Sequence, residues 1–198
     1  MRVLIACEYS GKVRDEFNKL GHDAISCDIL PTESEGPHYL GEVEDIIYKE
    51  KWDLIIAHPP CTYLANSGVS WLHKDPSRWA MLDEGALFFR LFLNHPCDKI
   101  CIENPIPHKY AVERIGRQYT QIVQPWMFGH PESKATCLWL KGLPLLKETH
   151  NVKEEMMKLP KNKRQRLHYT PPSKDRWKIR STTFSGLAKA MASQWGES

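Results

Sequence analysis

Short apolar runs alternate with amphipathic stretches along the first two thirds of the chain. Residues 2–6 form an apolar run that reads as a buried strand. Ser10 stands where it can cap a helix running to about Leu20, and Gly21 stops that helix. Residues 22–28 alternate and carry β-compatible side chains, which predicts a second strand. Residues 31–41 are rich in Pro, Glu and Gly and read as loop. A short helix is expected over 43–48. Residues 53–57 (DLIIA) form the kind of continuous apolar run found in a strand buried on both faces. Residues 58–78 hold Pro59, Pro60, Gly68 and Pro76 and read as loop, and 79–94 read as a helix rich in Leu and Phe. Another buried strand (KICIE) is predicted over 99–103, a short helix over 109–116, a pair of strands over 119–128 and 135–140, and a last amphipathic helix over 184–195. This order predicts one α/β domain over residues 1–198, with a mostly parallel sheet that ends in a strand pair.

Charge adds one feature to this outline. The formal net charge of +3 over 198 residues conceals an uneven distribution. Residues 1–146 hold 15 Lys/Arg and 19 Asp/Glu, whereas residues 147–180 hold 11 Lys/Arg and 4 Asp/Glu. A weakly acidic body therefore carries a basic insertion at about 143–180. Pro144, Pro160, Pro171 and Pro172 there leave little room for long helix except around 151–159. Such a segment suits either a polyanionic partner or a solvated surface. The six cysteines form no CxxC, and His95, Cys97 and Cys101 fit no common zinc spacing, so no metal is expected. Reduced thiols, an N-terminal apolar run too short for a signal peptide and no apolar span point to a cytoplasmic protein without membrane association.

Ligands of open α/β sheets bind beyond the carboxyl ends of the strands, so the residues that follow each strand matter most. After the first come Cys7, Glu8, Tyr9, Ser10 and Gly11, a turn entering a helix. After the second comes Asp28, an acid suited to a ribose diol. After the third come His58, Pro59, Pro60 and Cys61. The prolines fix the backbone and present a thiol that is either a nucleophile or a half-buried structural cysteine. After the fourth come Glu103, Asn104 and Pro105. Partial desolvation there favours the protonated carboxyl. Thiol and acid thus stand on two strand ends around one cleft.

These residues resemble the DNA (cytosine-5)-methyltransferases. Residues 53–61, ending in Pro59-Pro60-Cys61, look like that family's D-x-x-x-x-x-P-P-C block, with Gly68 as its terminal glycine. Glu103-Asn104-Pro105 resembles the E-N-V block, and Gly41-Glu42-Val43 the G-D-I block. Residues 129–136 match the G-x-P-Q-x-R-x-R block in degraded form, and residues 184–188 match the last block faintly. Departures are clear: one glycine in the first block, Thr62 after the thiol, and Lys134 and Thr136 where two arginines are expected. Some 35 residues stand where the family usually carries a target-recognition domain of a hundred or more.

The resemblance implies a Rossmann-like, S-adenosylmethionine-dependent methyltransferase fold with an antiparallel strand near the end of its sheet. It implies methyl transfer to C5 of cytosine in DNA through a covalent Cys61 adduct, with the cysteine active as thiolate, Glu103 hydrogen-bonding or protonating the ring at N3, and Lys134 assisting. Cofactor contacts are expected from Cys7, Glu8, Tyr9, Ser10, Gly11, Asp28, Ile29, Glu42, Val43 and Pro59. DNA contacts are expected from Tyr63 and Trp71, by stacking, and from Lys161, Lys163, Arg164, Arg166, Arg176 and Arg180, at phosphates. A partner subunit or a second copy of the chain is a candidate source of target recognition. A DNA-binding protein without catalysis, and an enzyme acting on a free nucleotide, RNA or a single strand, are the alternatives. Amino-group methylation ranks last, because His58 and Cys61 occupy the places of that chemistry's residues.

Overall fold

The computed structural model describes residues 1–197. Five strands and the helices between them come in chain order: β1 (Arg2–Ala6), α1 (Lys12–Lys19), β2 (Asp23–Asp28), β3 (His38–Leu40), α2 (Glu44–Ile47), β4 (Leu54–Ala57), α3 (Ser77–Leu93), β5 (Ile100–Pro105) and α4 (Lys109–Ile115). Then follow β6 (Gln121–Val123), β7 (Thr136–Lys141), α5 (Lys153–Lys158), α6 (Lys161–Arg164), α7 (Arg176–Ser181) and α8 (Ser185–Trp195). The seven strands form one sheet in the order β3-β2-β1-β4-β5-β7-β6. All neighbours are parallel except β7, which runs antiparallel between β5 and β6. The mostly parallel sheet and the antiparallel strand near its end agree with the expectation.

Period-two alternation explains why the central strands are apolar throughout. Leu4, Ala6, Ile55, Ala57, Ile100 and Ile102 face one buried layer, which α3 and α4 cover. There Phe89 meets Trp139 edge-on, with ring centroids 4.9 Å apart. Val3, Ile5, Leu54, Ile56 and Cys101 face the opposite layer, filled by Val13 and Phe17 of α1 and by Met191 and Trp195 of α8. Helices on both faces leave the strand ends as the open edges of the molecule. The chain runs from β1 outward through β2 and β3, then crosses back to β4. The carboxyl ends of β1 and β4 therefore flank the topological switch point, where such sheets bind ligands.

Three local expectations are corrected. The loop at 31–41 contains β3, whose residues pair with Ser26, Cys27 and Asp28; its Pro- and Gly-rich flanks mask a three-residue strand. The strand at 119–128 is confined to Gln121–Val123, because Pro125 opens a 3-10 turn over Pro125–Met127. The loop at 58–78 contains a 3-10 stretch, Asn66–His73. In keeping with its prolines, the basic insertion holds only short helices, α5, α6 and α7. Among the described residues, no helix is long and apolar enough to cross a membrane.

Candidate active site

The turn after β1 is tight. Cys7 has φ +58°, a left-handed conformation that costs a non-glycine residue of order 1–3 kcal/mol and is held here by its surroundings. One restraint is the Glu8 amide, which donates to the Cys27 carbonyl at 3.1 Å. The Glu8 carboxylate then curls under the start of α1. It accepts from the amides of Val13 (2.7 Å) and Arg14 (3.3 Å) and from the Ser10 hydroxyl (3.2 Å). Glu8 thus takes the capping role expected of Ser10, which receives only a long 3.4 Å contact from the Lys12 amide. A longer side chain reaches two free amides at once, and a carboxylate is favoured at the positive helix end. Gly11 stands at the helix start with φ +69°, and a Cβ there would collide with Ser34 Oγ. Glu8, Ser10 and Gly11 shape the turn and lie off the cleft wall, whereas Cys7 and Tyr9 line it.

The cleft over the switch point has a volume of about 910 Å³, toward the upper end for small-molecule sites. Asp28 lies at the end of β2 on its wall. Burial pushes its carboxyl above the ordinary range, against an opposing hydrogen bond from the Leu30 amide at 3.0 Å. Ile29 also lines the wall and is 65% exposed, an apolar side chain held open beside a half-buried acid. Gly41, Glu42 and Val43 continue this side. A carboxylate for a diol, next to apolar surface for a flat base, fits an adenosine-containing group such as S-adenosylmethionine.

The opposite side is built where two motifs meet. His58 continues β4 by donating its amide to the Ala6 carbonyl at 2.9 Å. Its Nδ1 lies 2.7 Å from Glu103 Oε2, at the end of β5. Asn104 Nδ2 donates to the Pro59 carbonyl at 3.0 Å and so fixes the Pro-Pro segment that presents Cys61. Pro59 itself is buried behind the wall, while Pro60, Cys61 and Pro105 line the cleft. The strand-end Glu-Asn pair thus braces the loop that carries the thiol.

The electrostatics of this corner differ from expectation. Burial pushes Glu103 up, but the hydrogen bond and charge of His58, with Lys134, outweigh it and hold the carboxyl below its ordinary value. The protonated Glu103 expected from desolvation is therefore corrected, because an imidazole partner reverses the sign. Burial likewise pushes His58 down, but Glu103, by hydrogen bond and charge, with Glu8 assisting, raises it above the ordinary value. Cys61 is raised above 9.0, mainly by burial and then by the Glu103 charge, while Lys134 and Arg180 pull it down. A lowered resting thiol, expected for the thiolate nucleophile, is not found: those two cations do not offset burial and the nearby carboxylate.

Lys134 stands on the wall, its Nζ donating to the Arg180 carbonyl at 3.0 Å. Helix α7 folds back over the mouth of the cleft, so Arg176, Trp177, Arg180 and Ser181 line it as well. The basic segment therefore divides. Arg176 and Arg180 belong to the cleft. Lys161 and Lys163 of α6 project into solvent. Arg164 places Nη1 3.6 Å from Met157 Sδ, while Arg166 pairs with Glu132 at 3.0 Å. Trp71 lines the cleft and is 54% exposed. Tyr63 lies off the wall, under the Arg78 guanidinium at 4.7 Å. His58, Trp177 and Ser181 were missed as site residues. The position of His58 directly after an apolar strand was the available signal; nothing local marks the other two.

No protein-family model matches the sequence, and no curated protein sequence is similar to it. Among solved structures, the chain is similar to one described as a DNA modification methyltransferase encoded within an E. coli prophage, at 17% identity and TM-score 0.47, covering 81% of this chain and 56% of that one. It is also similar to a Spodoptera frugiperda DNMT2 variant (16% identity, TM-score 0.42, 76% of this chain and 54% of that one). A third is the S. pombe Dnmt2 methyltransferase (14% identity, TM-score 0.43, 88% of this chain and 61% of that one). The chain spans little more than half the length of these structures.

Proposed function

We propose that this protein is an S-adenosylmethionine-dependent methyltransferase that modifies C5 of cytosine in DNA. One observation carries the reading. The Pro-Pro-Cys and Glu-Asn-Pro motifs meet at the switch point through the His58–Glu103 and Asn104–Pro59 hydrogen bonds, beside a pocket suited to adenosine. S-adenosylmethionine, when bound, supplies the methyl group. Asp28, with Ile29, Glu42, Val43, Cys7 and Tyr9 around it, is assigned to hold the adenosine end. Cys61 adds to C6 of cytosine, and a proton supplied to the ring by the His58–Glu103 pair favours that addition. Lys134 and Arg180 favour the thiolate over the thiol when a substrate is in place. A duplex substrate must first release its target base from the stack, at a cost of a few kcal/mol.

The folding of α7 over the cleft supports a second reading, in which the substrate is a single strand or a free cytosine nucleotide rather than a duplex. Arg176 and Arg180 are then assigned to a phosphate at the cleft, not to a duplex backbone. Labelled S-adenosylmethionine is to be incubated with the protein and, in parallel, duplex DNA, single-stranded DNA, RNA and dCMP. Label in 5-methylcytosine of DNA, abolished by Cys61→Ser, supports the main reading. Label confined to dCMP or RNA favours the alternatives, and tight DNA binding with no label in any arm overturns the enzyme.

A further inference from the structure

His58 occupies a place that the Pro-Pro-Cys motif alone does not explain. His58 is one of the residues that line the cleft, whereas Glu103 lies off the cleft wall. Nδ1 is committed to Glu103 Oε2 at 2.7 Å. Nε2 is buried and has no hydrogen-bond partner among the described residues. A carboxylate that holds one imidazole nitrogen and leaves the other unpaired is the arrangement by which proteins fix a histidine tautomer and make the ring a proton carrier.

We infer that the proton this site delivers to the substrate ring leaves from Nε2 of His58, and that Glu103 is the positioning residue that orients and charges it. The inference rests on the reading of Cys61 as a nucleophile toward cytosine. As Cys61 Sγ bonds to C6, the C5–C6 π pair moves to C4–C5 and the C4–N3 pair moves to N3. N3 takes the proton from His58 Nε2, leaving a neutral imidazole. Once C5 has formed its new bond, water takes the C5 proton, the C5–H pair re-forms the C5–C6 π bond as the C6–S bond breaks and its pair returns to sulfur, and the N3 proton returns to Nε2. The surroundings support a charged ring at rest. Burial and the Lys134 charge oppose the imidazolium, while Glu103 on β5, Glu8 on the turn after β1 and Asp28 at the end of β2 favour it, and the net direction is upward.

The test needs no cofactor. Addition of Cys61 makes C5 nucleophilic, so a cytosine labelled with tritium at C5 loses the label to water when C5 is protonated from solvent and the adduct collapses. Wild type is expected to release tritium from a cytosine oligonucleotide or nucleotide. His58→Asn should release it at least about 100-fold more slowly, the usual scale for losing a general acid. His58→Gly should be partly rescued by added imidazole. Glu103→Gln should retain more activity than His58→Asn. In ¹⁵N NMR, His58 of the wild type should titrate above its ordinary value near 6.5, and lower in Glu103→Gln. If wild type releases no tritium from any substrate, the cysteine mechanism itself fails. If it does, and His58→Asn stays within threefold of it, only the role of His58 is overturned. Should His58→Asn not fold, a wild-type His58 titrating below 6.5 overturns the inference on its own.

Discussion

The Tyr9 hydroxyl lies 3.2 Å from Ser181 Oγ and donates to the Lys178 carbonyl at 3.3 Å, joining the first strand turn to a helix about 170 residues later. Trp177 adds a tilted ring contact to Tyr9, with centroids 5.5 Å apart, and Lys178 pairs with Glu33 at 2.9 Å. These contacts hold α7 against the turn after β1 and the loop after β2, on the side of the cleft proposed for the cofactor. An aromatic pair contributes about 0.5–1.5 kcal/mol beyond its buried area. Trp177→Ala should therefore weaken S-adenosylmethionine binding by about two- to tenfold with little change in melting temperature. Calorimetric titration checks this, and unchanged affinity would show that α7 does not form part of the cofactor site.

Arg14 anchors the loop between β2 and β3. Its side chain is 0% exposed, bonds Ser26 Oγ at 3.1 Å and Ser34 Oγ at 2.6 Å, and pairs with Asp15 at 2.7 Å. Arg14→Met should cost about 2–4 kcal/mol in urea unfolding. It breaks a buried charge pair, and partial solvent access at Asp15 limits the loss. A cost below about 1 kcal/mol would mean that the loop holds without it.

The His58–Glu103 pair makes stability depend on pH from both sides. Glu103 has its folded-state value lowered, so its contribution is full above the unfolded value near 4.5 and is lost as pH falls through the folded value. His58 has its folded-state value raised, so its contribution is full below the unfolded value near 6.5 and is lost as pH rises through the folded value. The stability gap between wild type and Glu103→Gln should be widest between about 4.5 and 6.5 and should narrow on both sides. Urea denaturation across pH measures it, and a flat gap would mean that the two groups are not an ion pair.

The two halves of the basic segment should separate in mutagenesis. Lys161→Gln with Lys163→Gln should weaken DNA binding and flatten its salt dependence by about 0.9 in log–log slope per lost phosphate contact. Fluorescence anisotropy at several salt concentrations reads this. Arg180→Gln should act on Cys61 instead: without that cation the thiol rises further, and alkylation by iodoacetamide should shift to higher pH. An unchanged alkylation profile would remove Arg180 from the electrostatics of the thiol.

Local pattern was enough to reveal the central strands and their ends, though not β3 at the sheet edge. Apolar runs such as 53–57 must be buried wherever they lie, and the residues just after them are then carried to the open edge. Cys61, Asp28 and Glu103 were legible for that reason. The pairing of His58 with Glu103 spans 45 residues, and the docking of Tyr9 against Ser181 spans 172. Neither leaves a trace in spacing, because the contact depends on how β4 lies beside β5 and on where the chain returns after β7. The charge of the acid was decided in the same way. Desolvation alone points to a protonated Glu103, and the imidazole brought to it beyond the neighbouring strand, helped by Lys134, reverses that sign.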